Sequence, residues 1–288
     1  MNNVSETRNT ELTEHRARAR MSLRNRITFF VVAWAIVLLP FLFWRSTWFG
    51  RPLNDADLNR YLHDDAKPRN IQYALVQVNE RISRHDAGVA QWYPDLVRLS
   101  SYPVEEIRNT DAWVMGQDSS RPEFHQALLQ MLHDSSALVR GNAALALVRF
   151  GDHSGHDEIV QMLQLATMTA PQAGKVVDEA RPGTAIRKGG VVLRMEVNGQ
   201  EVELRSPLTG RVHEMLVKVN DSVVAGKPLA TVAPGEDQVW EALRGLYIIG
   251  TRADLETVSQ YLRPSDDLPD RVRQQAAMTR DAIQQRNK

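Results

Sequence analysis

The first pattern along the chain is a long apolar run. Residues 27–44, ITFFVVAWAIVLLPFLFW, contain no charged side chain. As a helix with a rise of about 1.5 Å per residue, this run would reach roughly 27 Å, close to the ~30 Å hydrocarbon core of a bilayer. Trp44 and Trp48 fall where interfacial aromatic residues are common. The pattern therefore predicts one transmembrane helix over residues 27–44.

The charges around this run predict its orientation. Six arginines lie in residues 1–26, whereas only Arg45 and Arg51 follow the run closely. Because positively charged flanks stay on the cytoplasmic side, we expect a basic cytoplasmic tail and an extracytoplasmic, periplasmic C-terminal part, in a single-pass protein of the inner membrane. A cleaved signal peptide is the alternative. The length of the run and the lack of a small-x-small cleavage site after it favour an uncleaved anchor.

Beyond the run, residues 52–174 and 235–288 have helical periodicity with a recurring motif. VRxxAA occurs at residues 139–144 and again at 272–277, and a weaker copy begins at Ile107. Small alanine faces let helices approach closely, and one helix pair cannot bury its own apolar face, so copies should stack. This pattern resembles the HEAT-repeat family, in particular the short type also found in phycobilisome lyases. The resemblance implies an α-solenoid that binds proteins; an unrelated helical bundle is the alternative.

Between these two parts, residues 175–234 follow an alternating pattern rich in valine and glycine. VVLRMEV and QEVELRS flank Asn198 and Gly199, the strongest short signal for a two-residue hairpin. The sequence predicts a small all-β domain. Residues 155–166 predict the first helix of a pair whose partner, 239–250, comes only after the β domain. The β domain is therefore expected to be inserted within one helical repeat.

The inserted segment is similar to the biotinyl/lipoyl family, which also supplies the barrel-sandwich part of membrane-fusion adaptors. The shared features are Gly210, Val212, Asn220 with Asp221, and AGKPL at 225–229. The resemblance implies a β-sandwich with a core of alternating apolar residues.

The family's cofactor-carrying residue is a lysine on an exposed hairpin, and Gly199 and Gln200 occupy that position here. Lys188 lies too early for this position, and Lys218 and Lys227 lie after the bend at Gly210. We therefore expect no covalently attached biotin or lipoyl group. Membrane-fusion adaptors insert a long helical hairpin at the same place, where this chain has a two-residue turn.

Composition excludes several function classes. The chain has 35 basic and 35 acidic residues and no cysteine. A net charge of zero argues against nucleic acid as the main partner. The lack of cysteine excludes disulfides, thiolate metal sites and thiol nucleophiles in this chain.

Two clusters are candidates for function. Asp152, His153, His156 and Asp157 could ligate a metal ion, or they could form a polar turn whose acidic residues favour the start of the next helix. The aromatic residues near the beginning of the repeats are either core residues or part of a groove for a partner; they are Trp92, Tyr93, Tyr102 and Trp113.

These observations combine into one expectation: a mainly α fold, a HEAT-like α-solenoid with an inserted small all-β barrel-sandwich domain and one N-terminal transmembrane helix. We expect a membrane-anchored extracytoplasmic scaffold that binds a protein of an envelope complex; the alternative is an accessory subunit of an envelope transport or secretion system. We expect no enzymatic activity, catalytic residue, cofactor or metal site. The expected domains are 1–26, 27–44, 52–174, 175–234 and 235–288.

Overall fold

The computed structural model describes residues 23–48, 52–263 and 268–286. Residues 1–22, most of the predicted basic tail, lie outside the described residues, as do Arg51 and the side chains of residues 43–48. The chain divides into two units, Met1–Pro52 and Leu53–Lys288.

The first unit contains helix α1, Leu23–Trp48, which includes the whole apolar run. Its large side chains from Ile27 to Leu42 are mostly exposed. Near its start, Thr28 Oγ1 donates a hydrogen bond to the carbonyl oxygen of Arg24 at 2.9 Å. Within the described ranges, no helix meets the length and hydropathy requirements of a membrane-spanning segment.

The second unit is rich in helices. The helices are α2 Asp55–Leu62, α3 Pro68–Ser83, α4 Tyr93–Leu99 (preceded by a 3-10 turn, Val89–Trp92), α5 Glu105–Met115, α6 Pro122–Met131, α7 Ala137–Arg149, α8 His156–Gln161, α9 Glu236–Ile249, α10 Leu255–Gln260 and α11 Asp270–Arg286.

Five of these helices form a row in which α3, α5, α7, α9 and α11 pack each on the next. A shorter helix precedes each of them in the chain and packs beside it. Small residues permit the close approach: a Cβ on Gly116 would lie 2.8 Å from that of Ala146, and one on Gly155 would lie 2.5 Å from that of Ala144. Ala144, one of the small residues of the repeated motif, thus lies at a helix contact.

Apolar side chains of consecutive helix pairs merge into two clusters, one centred on α2–α7 and one on α7–α11. Trp92 and Phe124 are fully buried in the first, where the ring of Tyr93 packs edge-on against Phe124 with centroids 4.7 Å apart. Of the aromatic residues singled out above, Trp92 and Tyr93 therefore belong to the core and Tyr102 packs against it. Trp113 is 43% exposed.

A buried carboxyl group lies within the first cluster. Asp111 on α5 is fully buried, and neither of its carboxylate oxygens has a hydrogen-bond partner among the described residues. Burial raises the pKa of Asp111 well above its usual range, although the charge of Arg98 acts in the opposite direction. In the aligned motif of α7 the same position is occupied by Ala143.

We expect Asp111→Ala to stabilise the helical unit by about 1–3 kcal/mol at pH 7, because it removes an unpaired polar group from the core. A raised folded-state pKa costs stability as pH rises above the unfolded value of about 3.9, so the gain should be smallest near pH 3, where the carboxyl is protonated in both states, and grow towards neutral pH. Native-state hydrogen exchange of α5 measures this. Asp111→Asn, which cannot ionise, should remove the pH dependence while keeping the polar atoms; an unchanged pH dependence would contradict the argument.

The β strands form two four-stranded antiparallel sheets, with orders β1-β8-β6-β3 and β5-β4-β2-β7. The strands are β1 Ala166–Thr169, β2 Gly174–Glu179, β3 Ala185–Ile186, β4 Val191–Val197, β5 Gln200–Arg205, β6 Gly210–Met215, β7 Ser222–Val223 and β8 Pro228–Pro234. Alternating residues of both sheets, including Val176, Met195, Val212 and Val232, bury a common core. The predicted small β-sandwich is therefore confirmed.

The sandwich is inserted between two helices that pack on each other, α8 and α9. Gln238 Nε2 donates to the carbonyl oxygen of Met162 at 2.8 Å, and the hydroxyl of Tyr261 donates to that of Leu163 at 2.6 Å. These bonds hold the segment that enters the sandwich.

The start of the sandwich differs from the sequence-based expectation. Helix α8 ends at Gln161 instead of continuing to residue 166, and the first strand begins at Ala166, before the predicted boundary at 175. The reason is tertiary: Ala166 pairs with Val232 on β8, a partner far away in sequence.

Candidate functional site

The hairpin between β4 and β5 corresponds to the cofactor-carrying turn of the family that the sequence resembles. Val197 pairs with Gln200 across it, and Asn198 and Gly199 have φ angles of +51° and +76°. Two consecutive residues with positive φ define the turn that Asn-Gly favours most. The predicted two-residue hairpin is confirmed, and its tip is exposed.

Biotin and lipoyl groups attach through a lysine amine, and this turn contains none. Lys188 Nζ forms an ion pair with Glu105 on α5, at the end of the sandwich that faces the helices. Lys218 lies in the turn before β7 and Lys227 in the turn before β8. The turn residues Asn198 and Gly199 therefore do not fit a covalently carried cofactor.

A polar network joins the sandwich to the helices. Glu105 accepts hydrogen bonds from Lys188 and from Ser136 Oγ, the latter at 2.8 Å. Asp134 accepts a two-pronged bond from Arg108 at 2.6 and 2.9 Å and another from the Ser136 N–H at 2.7 Å. Lys188 lowers the pKa of Glu105, and Arg108 lowers that of Asp134. Both carboxylates are thus held in the charged form, and the network orients the sandwich on the helices.

A groove runs along the row formed by α5, α7, α9 and α11. It contains a cavity of about 530 Å³ lined by residues of all four helices. Trp113, Ile248 and Met278 present apolar surface to it and are 43%, 55% and 55% exposed; Tyr247 lies beside them. We refer to this cavity, with the adjoining one described next, as the groove.

The adjoining cavity, of about 630 Å³, lies between α7, the α8–β1 connection and α9. Pro207 and Leu208, from the loop between β5 and β6, form part of its wall. It shares Asn142, Leu145 and Glu241 with the first cavity. The groove therefore continues along the helical row to the base of the sandwich, and each of its two cavities has a volume within the usual range of ligand pockets.

Three charged residues line the first cavity. Arg244 pairs with Glu241 at 3.3 Å, and its guanidinium lies 4.6 Å from the ring centre of Trp240. Arg149 Nη1 donates to Gln117 Oε1 at 2.7 Å and approaches the carbonyl oxygen of Gly116 at 3.5 Å. The arginine–glutamate pair is neutral, so Arg149 supplies the excess charge of this cavity.

The histidine- and aspartate-rich segment 152–157 is divided between two separate contacts. Asp152 binds His125 Nε2 at 2.6 Å and the Ser154 N–H at 2.7 Å. His156 Nε2 lies 2.8 Å from Asp254 Oδ2. Burial lowers the pKa of His156, but the hydrogen bonds to Asp254 and Asp157 raise it by more. Among the residues that the structure describes, no three metal-ligating side chains converge.

The sequence pointed to Trp113 but not to the other apolar residues that share the groove with it. Ile248 and Met278 are apolar residues on exposed positions of α9 and α11, and Tyr247 precedes Ile248. For Met278 the sequence contained an indication, because Met278 follows the VRxxAA copy at 272–277 just as Trp113 follows the weaker copy that begins at Ile107. A single helix does not indicate which exposed positions face the neighbouring helices.

The comparisons with known proteins concern the sandwich. A family model described as biotin-requiring enzyme matches residues 166–232. This segment is a biotin/lipoyl-like domain. The match begins at the first residue of β1 and ends within β8, so it covers the two sheets. No match is found among curated proteins.

Two solved structures are similar to parts of the chain. A single-chain, multi-domain long-chain acyl-CoA carboxylase is 25% identical over 34% of this chain, with a TM-score of 0.24; the chain spans only 9% of that protein's length. A crystal structure of an engineered protein from the Northeast Structural Genomics Consortium is 15% identical over 79% of this chain and 78% of its own, with a TM-score of 0.38. Likenesses at these TM-scores add nothing to the assignment of the fold.

Proposed function

We propose that this protein is a membrane-attached scaffold without enzymatic activity, which holds a partner protein in the groove of its helical row. The observation that carries the proposal is the cluster of exposed apolar side chains at Trp113, Ile248 and Met278 in the groove. Exposed apolar surface concentrated in a concave site is typical of protein-binding surfaces, and aromatic residues contribute most of the affinity there. The succession of helix pairs supports the interpretation of the helical row as HEAT-like repeats, a class of repeat that binds proteins.

In this proposal the biotin/lipoyl-like domain acts as a protein module and carries no cofactor. Support comes from the β4–β5 turn, where Asn198 and Gly199 offer no amine for an amide link. The network from Lys188 to Arg108 holds the sandwich at the end of the groove, where Pro207 and Leu208 extend the wall. A partner in the groove would therefore contact both modules.

We further propose that α1 attaches the protein to the inner membrane, with the helical unit on the periplasmic side. Support comes from the uncharged run 27–44, from the exposed apolar side chains of α1 and from the arginines that precede the run.

Site-specific photo-crosslinking in cells tests the groove. A photoreactive phenylalanine derivative in place of Trp113 should give one defined crosslinked partner. The same derivative in place of Val97, an exposed residue of α4 outside the groove, should not. Adding Ile248→Asp or Met278→Asp to the first variant should abolish the crosslink, because each change puts a charge into the apolar surface of the groove. The fold should be kept, because both residues are exposed. A crosslink that survives both changes would reject the groove as the binding site.

Extraction of membranes with alkaline carbonate tests the attachment. The full-length chain should stay with the lipid fraction, whereas a variant lacking residues 1–51 should be released. External protease added after permeabilisation of the outer membrane should digest the helical unit. Release of the full-length protein would refute membrane attachment, and protection from the protease would refute the orientation.

Intact-mass measurement of the natively expressed protein tests the absence of a carried cofactor. The mass should equal that of the unmodified polypeptide. An added mass of biotin or lipoate would overturn this part of the proposal. The variant Gly199→Lys, which places an amine on the turn, is the matched positive control when a biotin or lipoyl ligase is supplied.

A further inference from the structure

We propose that the groove binds an extended, acidic segment of a partner protein, whose carboxylate pairs with Arg149 and whose apolar side chains contact Trp113, Ile248 and Met278. This inference rests on the proposed scaffold function and specifies the chemistry of the partner.

The charge of Arg149 favours an acidic occupant. The guanidinium is held in place by Gln117 Oε1, and Gln117 in turn donates to the carbonyl oxygen of Trp113 at 2.9 Å. In the described part of the chain no carboxylate lies within ion-pair distance of Arg149. A guanidinium has five N–H donors in a fixed plane, so donors remain for a bidentate bond to a carboxylate.

The other charged side chains described in the groove already have ionic partners. Glu241 and Arg244 pair with each other, and Glu158 in the adjoining cavity pairs with Arg140 at 2.9 Å. Asp237 at the rim pairs at 2.7 Å with Arg271, which also binds Glu236. A basic segment would be repelled by Arg149, and the described carboxylates of the groove are already paired with arginines. An acidic segment would meet Arg149, the one charged side chain lining the groove without an ionic partner among the described residues.

Two side-chain amides of the groove favour an extended conformation of the occupant. Asn142 and Gln275 lie at equivalent positions of the repeated motif, on α7 and α11, and both line the groove. Their amide nitrogens donate to Asn109 Oδ1 at 2.8 Å and to Thr279 Oγ1 at 3.3 Å. Their carbonyl oxygens have no donor in the described ranges. An extended chain has main-chain N–H groups available for such acceptors, whereas a helix uses its own internally.

The dimensions agree with an extended segment of about ten residues. Packed helices lie about 8–10 Å apart, and an extended chain rises about 3.3 Å per residue. One step along the row therefore corresponds to about three residues, and the apolar wall from Trp113 on α5 to Met278 on α11 covers three steps. In the polyproline II form of an extended chain, which has three residues per turn, an apolar side chain at every third position would face one helix after another.

Fluorescence anisotropy with designed peptides tests this assignment on the full-length protein in detergent. The probe is a fluorescein-labelled decapeptide with leucine at every third position and one central glutamate; its matched partner carries lysine instead. We expect the glutamate peptide to bind about tenfold more tightly than the lysine peptide, and Arg149→Glu to reverse this preference. Arg60→Glu, at an exposed arginine outside the groove, is the matched control and should keep the original preference.

Three outcomes would overturn the assignment: equal binding of the two peptides, an unchanged preference in Arg149→Glu, or concentration-dependent dimerisation that disappears in Ile248→Asp. The last would identify a second copy of this chain as the occupant. Circular dichroism of each variant excludes unfolding as the cause. A defined crosslink at Trp113 together with any of these outcomes would leave the scaffold function intact and reject only the acidic extended partner.

Discussion

Replacing Gly210 with alanine is expected to unfold the biotin/lipoyl-like domain while the helices remain folded. Gly210 begins β6 and pairs with Pro234 on β8. A Cβ at this position would overlap the carbonyl oxygen of Ala233 and would lie 3.0 Å from its carbonyl carbon and 3.1 Å from the Gly235 nitrogen. All three are backbone atoms, so no side-chain rotation relieves the overlap and the two strands have to separate.

Gly210→Ala should lower the free energy of unfolding of the domain by about 4 kcal/mol or more, a loss that only severely disruptive substitutions cause. This is comparable to the whole stability of a domain of this size, at about 0.05–0.15 kcal/mol per residue. Hydrogen exchange of the full-length protein should show lost protection in β6 and β8 and unchanged protection in α5 and α7.

Gly199→Ala is the control within the same domain. Gly199 has a φ of +76°, but a Cβ there meets no atom within 4 Å. Gly199→Ala should therefore lower the free energy of unfolding only by the penalty for a Cβ at positive φ, about 1–2 kcal/mol. Equal losses of protection in the two variants would contradict the explanation by overlap at Gly210.

The second large effect is expected at Arg108, which holds Asp134 by two hydrogen bonds. The side chains of Arg108 and Asp134 are only 13% and 9% exposed, and Arg108 also donates to the carbonyl oxygen of Tyr102 at 2.7 Å. Arg108→Ala leaves a largely buried carboxylate without its counter-charge, which typically costs about 3–5 kcal/mol. Hydrogen exchange of α5 and of the turn before α7 should report the loss.

The effect of Arg108→Ala should depend on pH in a defined direction. Arg108 lowers the folded-state pKa of Asp134, so the stability it supplies is present above the unfolded value of about 3.9 and is lost as pH falls below it. The difference between wild type and variant should therefore shrink between pH 5 and pH 2. Arg60→Ala, which removes the exposed partner of Asp57, should change stability by at most about 1 kcal/mol at any pH. A similar loss in both variants would show that burial of the pair is not the cause.

Turn chemistry explains why much of the sandwich could be predicted from sequence. Asn198, Gly199, Asn220 and Gly226 all adopt positive φ, a conformation that few other residues tolerate. These residues mark the ends of strands without reference to the rest of the molecule. The alternating valines between them then indicate which face of each strand is buried.

The start of the sandwich could not be predicted in the same way. ATMT at residues 166–169 carries no turn signal, and it becomes a strand because β8 offers it a partner. Likewise, the unpaired state of Asp111 depends on which helices surround it. Such features depend on neighbours that are distant in sequence.

The sequence by itself determined the apolar run, the helix-rich character of the second unit, the inserted β-sandwich and the lack of a lysine on its hairpin. These properties follow from residue type and short-range spacing, which act locally. Only the tertiary structure decided that Trp113, Ile248 and Met278 share one groove, that no carboxylate of the described residues pairs with Arg149 there, and that Lys188 joins the sandwich to α5. Each of these depends on the packing of helices and loops separated by tens of residues, because a surface is formed by elements that the chain brings together only when it folds.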